Sequence, residues 1–458
     1  MPARDRTPTF RIRTQHTPGL LCLFLASLIS GCDKPSEPDL PYGNQQVDGI
    51  ILILGDGMGL SFITQASLEK GEPLAIEGMP VVGLQRTKSL DGSITDSAAA
   101  ITAIVTGHKT FNGWIGLDGK GNHVRTLFEE AKQRGWNTAV ISTSSVTHAT
   151  PAGAFVHVVD RKQDEAIAWQ LAHNPPDILI GGGRQFFAPR NSDSGPSDPT
   201  MNSTSQERPS DPGMNHISRT NESKVPMDLL RNTHSLEFSY VRFMKSDCDS
   251  LCVNGESVDR LIALLADDHL PPVAGWDSLE PNEDGKKYHG AAPDDPPTRE
   301  GFLRLASVRT VRTLLESGKP FLMLVEGSQI DWGGHGKDIR YALRELYDLD
   351  ETVAALRQEI RGHNILIIFT ADHETGGHAI LDGKPGQKQK AAFLTNYHTA
   401  VMVPVFAAGP GSEQFTGTYE NTDLHHKMLA VMNAFALSSS RITDPGGRQN
   451  RTRLSESR

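Results

Sequence analysis

Ile50-Ile51-Leu52-Ile53-Leu54-Gly55-Asp56-Gly57-Met58-Gly59 reads as a buried strand that runs straight into a carboxylate and a glycine-rich turn. An unbroken run of large aliphatic residues, without polar alternation, suits a strand covered on both faces by helices. Phe321–Val325 repeats the pattern and leads into Glu326, Asp331 and His335, and Ile365–Phe369 repeats it again before Asp372 and His373. In a parallel α/β sheet the carboxyl ends of the strands open onto one crevice, so side chains far apart in sequence converge there. Carboxylates and imidazoles brought together are ligands for divalent cations, and the three runs therefore predict a polynuclear metal site.

Outward from these strands, helix and strand signals alternate. Ala98–Val105 is an alanine-rich helix stopped by Gly107, and Leu127–Arg134 is a helix stopped by Gly135. Thr138–Ile141 and Asp177–Ile180 read as strands, followed by a helix over about 300–316, another over about 340–360, the strand Val403–Ala407 and a last helix near 423–436. The order βαβα predicts an α/β, doubly wound fold: a mostly parallel central sheet flanked by helices, with a cap or insertion between the middle strands. The catalytic-type domain is expected over 48–438, and the insertion over about 190–300. Within it, 190–224 is rich in Ser, Asn, Asp and Pro and is expected to be disordered, while Pro271–Pro297 is expected to form part of a cap. Residues 439–458 are expected to be a disordered tail.

The chain has 458 residues, 37% hydrophobic and 22% charged, with a formal net charge of -10. That sign argues against nucleic acid or an anionic membrane as an electrostatic partner, although bound cations let an acidic protein handle phosphate. Arg4, Arg6, Arg11 and Arg13 precede the apolar run Leu20–Ile29, which is too short to span a bilayer and reads as a secretory signal over 1–31. Leu28-Ile29-Ser30-Gly31-Cys32 resembles the lipobox of bacterial lipoproteins, so Cys32 is expected to be lipidated, with 32–47 as a linker. Asp33 then resembles a signal for retention at the inner membrane. The expected location is periplasmic, with membrane contact only through the lipid. Cys248 and Cys252 can close a small local disulfide in that oxidising compartment.

Ser97 in Thr95-Asp96-Ser97-Ala98-Ala99-Ala100 opens a helix after a polar turn. A helix N-terminus favours a phosphoryl anion through its free N–H groups and dipole. A serine there can act as a nucleophile when a cation favours loss of its proton.

Several ordered motifs make the chain resemble the alkaline phosphatase family over roughly residues 48–435. They are Asp56-Gly57-Met58-Gly59, Thr95-Asp96-Ser97-Ala98-Ala99, Thr147-His148-Ala149-Thr150-Pro151-Ala152, Gly181-Gly182-Gly183-Arg184, Val325-Glu326-Gly327-Ser328-Gln329-Ile330-Asp331, Thr370-Ala371-Asp372-His373, and His398 ahead of Val403-Pro404-Val405-Phe406-Ala407. The resemblance implies two Zn2+ and one Mg2+. Asp331, His335 and His398 would hold the first zinc; Asp56, Asp372 and His373 would hold the second, beside Ser97. Asp56, Thr150 and Glu326 would hold the magnesium, with His148 at a position where relatives carry Asp or His. Arg161, eleven residues after Thr150, matches the family's phosphate-binding arginine, and its guanidinium fork suits two phosphate oxygens. Asp96 would orient Arg161. Trp332 stands where relatives carry Lys or His, and an indole brings no positive charge to the substrate.

The implied activity is hydrolysis of small phosphomonoesters through a phosphoserine at Ser97, by a homodimer. A phosphodiesterase or nucleotide pyrophosphatase of the same superfamily is the alternative; those resemble this chain in the two-zinc site but lack the third-metal set, so Glu326 with Thr150 counts against it. A sulfatase needs Cys or Ser followed by x-Pro-x-Arg, and Ser97-Ala98-Ala99-Ala100-Ile101 does not supply it. A lipid-anchored binding protein without catalysis is disfavoured because every catalytic position holds a competent residue.

Overall fold

The structure is a computed structural model that describes residues 47–187, 239–241, 251–253, 256–257, 259–273 and 299–442. The signal segment, Cys32, residues 190–224, Cys248 and most of Pro271–Pro297 lie outside the described residues.

Ten strands form the central sheet: β1 (Gly49–Gly55), β2 (Val81–Arg86), β3 (Asn137–Ser145), β4 (Ile178–Gly182), β5 (Ser239–Val241), β6 (Leu261–Leu264), β7 (Phe321–Gly327), β8 (Ile365–Thr370), β9 (Val403–Ala408) and β10 (Gly417–Glu420). They lie in the order β10-β2-β9-β8-β1-β7-β3-β4-β6-β5. Every neighbouring pair is parallel except those made by β9, which runs antiparallel to both β8 and β2. The doubly wound, mostly parallel sheet expected from the sequence is therefore present. β5 and β6 come from within the 190–300 segment and extend the sheet's edge.

The helices are α1 (Leu60–Lys70), α2 (Ser97–Thr106), α3 (Leu127–Gln133), α4 (Ala149–Ala152), α5 (Asp164–His173), α6 (Phe302–Glu316), α7 (Gln329–His335), α8 (Ile339–Glu359) and α9 (Thr422–Ile442). Because successive strand side chains point to opposite faces, β1 feeds two cores at once. Ile50, Leu52 and Leu54 pack with residues of α2, α3, α5 and α9, while Ile51 and Ile53 pack with residues of α1, α6 and α8. All seven residues of β1 are buried, which explains why its sequence does not alternate. The last helix runs past the expected end near 436, so residues 439–442 are helical.

The register of the inner strands sets the site. Leu54 pairs with Glu326 on one side and Thr370 on the other, and Ser142 pairs with Glu326. The residues that follow β1 and β8, and the last turn of β7, thus sit side by side at one sheet end. α7 and α8 come so close that a Cβ on Gly333 would lie 2.6 Å from the Ala342 nitrogen. Only glycine allows that approach, which brings the helix carrying Asp331 and His335 down over the strand ends.

Arg299, just ahead of α6, is buried and forms ion pairs with Glu345 and with Asp348 (2.6 Å), both on α8. Glu345 also accepts a hydrogen bond from the Val273 amide (2.9 Å), so one helix fastens the chain on both sides of the 274–298 segment. Removing one member of a buried ion cluster leaves the others as uncompensated charge. Arg299→Ala is expected to lower unfolding stability by about 3–5 kcal/mol, read from the urea midpoint at unchanged slope; a shift below about 1 kcal/mol would show that the cluster is solvated.

Candidate active site

Ser97 is the first residue of α2, whose ten residues are all buried. The Asp96 side chain caps the helix by accepting the Ala99 amide (2.9 Å), and Gly107 ends it in a left-handed conformation. The cap turns the Ser97 hydroxyl toward the ends of β1 and β8. Its Oγ lies 3.3 Å from His373 Nε2 and 3.5 Å from Asp56 Oδ2.

The ligand types expected from the sequence gather around it. Asp331 and His335 lie one turn apart on α7, 3.3 Å from each other, and His398 Nε2 is 3.5 Å from Asp331. His373 Nε2 is 3.2 Å from Asp372 Oδ2 and 3.6 Å from Asp56 Oδ1. Asp56, His148 and Glu326 each offer a ligand atom within 4.8 Å of the others, and so do Asp56, Asp331 and His373, which joins the groups into one cluster. Thr150, the second residue of α4, is buried, and its hydroxyl bears on the Glu326 carboxylate.

Two observations fit these residues to cations. His335 and His398 each place Nδ1 against a main-chain carbonyl, Asn396 at 2.7 Å and Thr95 at 2.8 Å, and their Nε2 atoms then face each other at 3.1 Å. A histidine that donates Nδ1–H to a carbonyl and aims its other nitrogen at a shared point is oriented as a metal ligand. In addition, Asp56 Oδ1, Asp372 Oδ2 and Glu326 Oε1 are buried without hydrogen-bond partners. Imidazole and carboxylate together suit a zinc-type ion, while the oxygens of Asp56, Thr150 and Glu326 suit a harder one.

The electrostatics agree. Burial pushes Asp56 well above the ordinary carboxylate range, with Asp372, Asp331 and Glu326 adding repulsion. Asp372 rises to about 7, chiefly by burial. Glu326 also rises, burial outweighing the hydroxyls of Ser142, Ser328 and Thr150. Burial opposes ionisation of Asp331 too, but the imidazoles of His335, His398 and His373 hold it well below its usual value. Against burial, the Asp331 carboxylate raises His335 to about 9. Burial pushes His373 and His148 well down, so both are neutral.

Arg161 reaches in from the loop before α5. One guanidinium nitrogen lies 3.2 Å from Asp96 Oδ2, and the other donates to His148 Nε2 at 2.9 Å. Asp96 thus does two things, capping the Ser97 helix and holding Arg161. Trp332 meets the His269 ring edge-on at 4.6 Å, and His269 meets His148 at 5.8 Å.

The sequence reading missed several supporting residues. His269 accepts the Ser145 amide through Nδ1 (3.0 Å). It follows β6 in Leu261–Leu265 and Ala266-Asp267-Asp268-His269, the same apolar-run-into-acids-and-histidine signature that marked the three inner strands. Thr375 donates to Asp331 Oδ1 at 2.5 Å and lies 3.3 Å from His373 Nδ1, while its amide donates to the Gly57 carbonyl (3.0 Å). Nothing in the sequence distinguishes Thr375 from an ordinary turn residue.

The alkaline phosphatase family model matches residues 47–393, and the chain belongs to that family. Alkaline phosphatase 3 of Bacillus subtilis (strain 168) is 29% identical over 502 residues, covering 90% of this chain and 95% of the relative. Alkaline phosphatase 4 of the same organism is 26% identical, covering 84% and 89%. The solved alkaline phosphatase of the Antarctic bacterium TAB5 superposes with a TM-score of 0.68 at 28% identity, covering 85% of this chain and 98% of that one. A variant of the TAB5 enzyme with a histidine changed to glutamate has magnesium bound in its M3 site. Family, fold and ligand clusters define a metal-dependent phosphoric monoester hydrolase.

Because the cation-free His335 holds its proton up to about 9, an ion entering between Asp331, His335 and His398 must displace that proton. At pH 8 the first zinc equivalent is therefore expected to release about one proton, and its affinity to weaken as pH falls further. Calorimetry in buffers of different ionisation enthalpy counts the proton; zero release at pH 8 would contradict the assignment.

Proposed function

We propose that this enzyme hydrolyses phosphomonoesters through a phosphoserine at Ser97, with two zinc ions and one magnesium ion as its resident cations. The observation that carries the reading is the Ser97 hydroxyl, held at a helix N-terminus and 3.3 Å from His373 Nε2, inside the cluster of ligand side chains. Asp331, His335 and His398 would hold one zinc and Asp56, Asp372 and His373 the other. Asp56, Thr150 and Glu326 would hold the magnesium, with His148 beside it.

When bound, the cations would favour loss of the serine proton and stabilise charge on the departing oxygen. The chain supplies the rest. Ser97 Oγ gives up its proton to solvent water and attacks phosphorus, the new O–P bond forming as the ester O–P bond breaks, and the departing alkoxide takes a proton back from solvent to leave as the alcohol. A water molecule then cleaves the phosphoserine, restoring the hydroxyl and releasing inorganic phosphate. Arg161 binds the phosphoryl oxygens: each terminal nitrogen carries two N–H groups, so its contacts with Asp96 and His148 still leave donors for the substrate. The α2 amides and dipole favour the same anion. Trp332 borders the site through His269 and contributes shape, not charge, to substrate binding.

The phosphodiesterase reading is weaker here because Glu326 and His148 gather beside Asp56 and the Thr150 hydroxyl bears on Glu326. We further infer export and lipid attachment at Cys32, from the Leu20–Cys32 pattern, and a homodimeric assembly from the family. Among the described residues no helix is long and apolar enough to cross a membrane.

Ser97→Ala is expected to reduce kcat on a phosphomonoester by about a thousandfold or more while metal content stays at the wild-type level. Near-normal turnover in the variant would exclude Ser97 as the nucleophile. The wild-type enzyme should also turn over a phosphomonoester much faster than a phosphodiester, with zinc and magnesium restored after chelation; equal or faster diester rates would reverse the preference.

A further inference from the structure

Behind Glu326 lies a cluster of buried hydroxyls that the reaction does not use. Ser142 faces Glu326 across the β3–β7 register, and its Oγ is 2.5 Å from Glu326 Oε2. The same Oγ accepts the Ser144 amide (2.9 Å) and lies 3.0 Å from Ser328 Oγ and 2.8 Å from Ser144 Oγ. Ser328 is itself pinned, its amide donating to Thr143 Oγ1 at 2.9 Å. Ser142, Ser144, Ser328 and Glu326 are all 0% exposed, so no solvent competes for these bonds.

A hydroxyl has one proton to give and two lone pairs to offer. The Ser144 amide takes one lone pair of Ser142, and a neighbouring serine proton takes the other. The Ser142 proton is then left for Glu326 Oε2, which as a carboxylate oxygen can only accept. The second oxygen, Oε1, is buried without a hydrogen-bond partner, and Glu326 belongs to the group with Asp56 and His148.

We propose that Ser142 is a positioning residue for Glu326: with Ser328 it ties down one carboxylate oxygen and turns the other toward the Asp56 and Thr150 side, fixing the geometry demanded by a small, hard cation. Mg2+ tolerates little deviation from octahedral oxygen coordination, so a carboxylate free to rotate holds it poorly. A zinc-type ion held by Asp331, His335 and His398 makes no use of this cluster. The inference rests on the reading of Glu326 as a magnesium-holding residue.

The test is Mg2+ titration of zinc-loaded enzyme, read by thermal shift and by metal analysis after equilibrium dialysis, without reference to turnover. Ser142→Ala is expected to weaken Mg2+ binding about 10- to 100-fold with zinc content unchanged. Ser328→Ala should move binding in the same direction by a smaller factor, and it serves if the Ser144 amide left unpaired in Ser142→Ala disturbs folding. Glu326→Ala is the reference. If Glu326→Ala weakens Mg2+ binding and both serine variants bind it as wild type does, the positioning role is wrong while the magnesium assignment stands. If Glu326→Ala also binds normally, the magnesium assignment fails and the positioning role fails with it. A parallel loss of zinc in the serine variants would mark the cluster as general scaffolding and overturn the proposal.

Discussion

Four carboxylates, on Asp56, Glu326, Asp331 and Asp372, are no more than 6% exposed and crowd one end of the sheet. Buried like charges at this spacing cannot all stay ionised unaided, and the rise of Asp56 and Asp372 toward protonation registers that cost. Positive charge is the missing component. Protons on His335 and on the carboxylates, and the Arg161 guanidinium, supply part of it, and the donor set suits divalent cations for the rest. The fold holds these carboxylates together under a demand for positive charge, and its chemistry draws on the same demand.

The arrangement is a consequence of strand topology. β8, β1, β7 and β3 lie next to one another with their ends aligned, so short continuations past each strand meet without long loops. Two features complete the enclosure from outside the sheet. α7 descends over the strand ends because Gly333 lets it approach α8, and the His398 segment crosses back before β9 turns antiparallel. A two-stranded pairing of Glu374–Thr375 with His398–Thr399 fastens that crossing segment to the residues after β8.

Much of this was legible in the chain itself. Unbroken aliphatic runs in β1, β7 and β8 announce burial on both faces, and an acid at the end of each announces something positive nearby. The same logic would have found β6 and His269, but proline and charge downstream of Leu270 drew the whole segment into an expected insertion. β2 and β10 were invisible for a different reason. Val81–Arg86 and Gly417–Glu420 are only partly buried near the sheet edge, and their apolar content is set by neighbours that a linear reading does not supply. The expected ligands came largely from motif resemblance, which identifies side chains that bind but is silent on those that hold them in place. Thr375 and Ser142 make hydrogen bonds to candidate ligands distant in sequence, and such partners become apparent only when the chain is folded.

Asp96 carries a consequence for how this active site can vary. One oxygen caps the helix that begins at Ser97, the proposed nucleophile, and the other holds the guanidinium of Arg161, the proposed phosphoryl clamp. The proposed attacking atom and anion clamp therefore share a single mechanical pivot. Descendants of this sequence could retune the grip from the far side of Arg161, through His148 and its neighbours, without touching the trajectory of attack; any change at the pivot itself would alter both together.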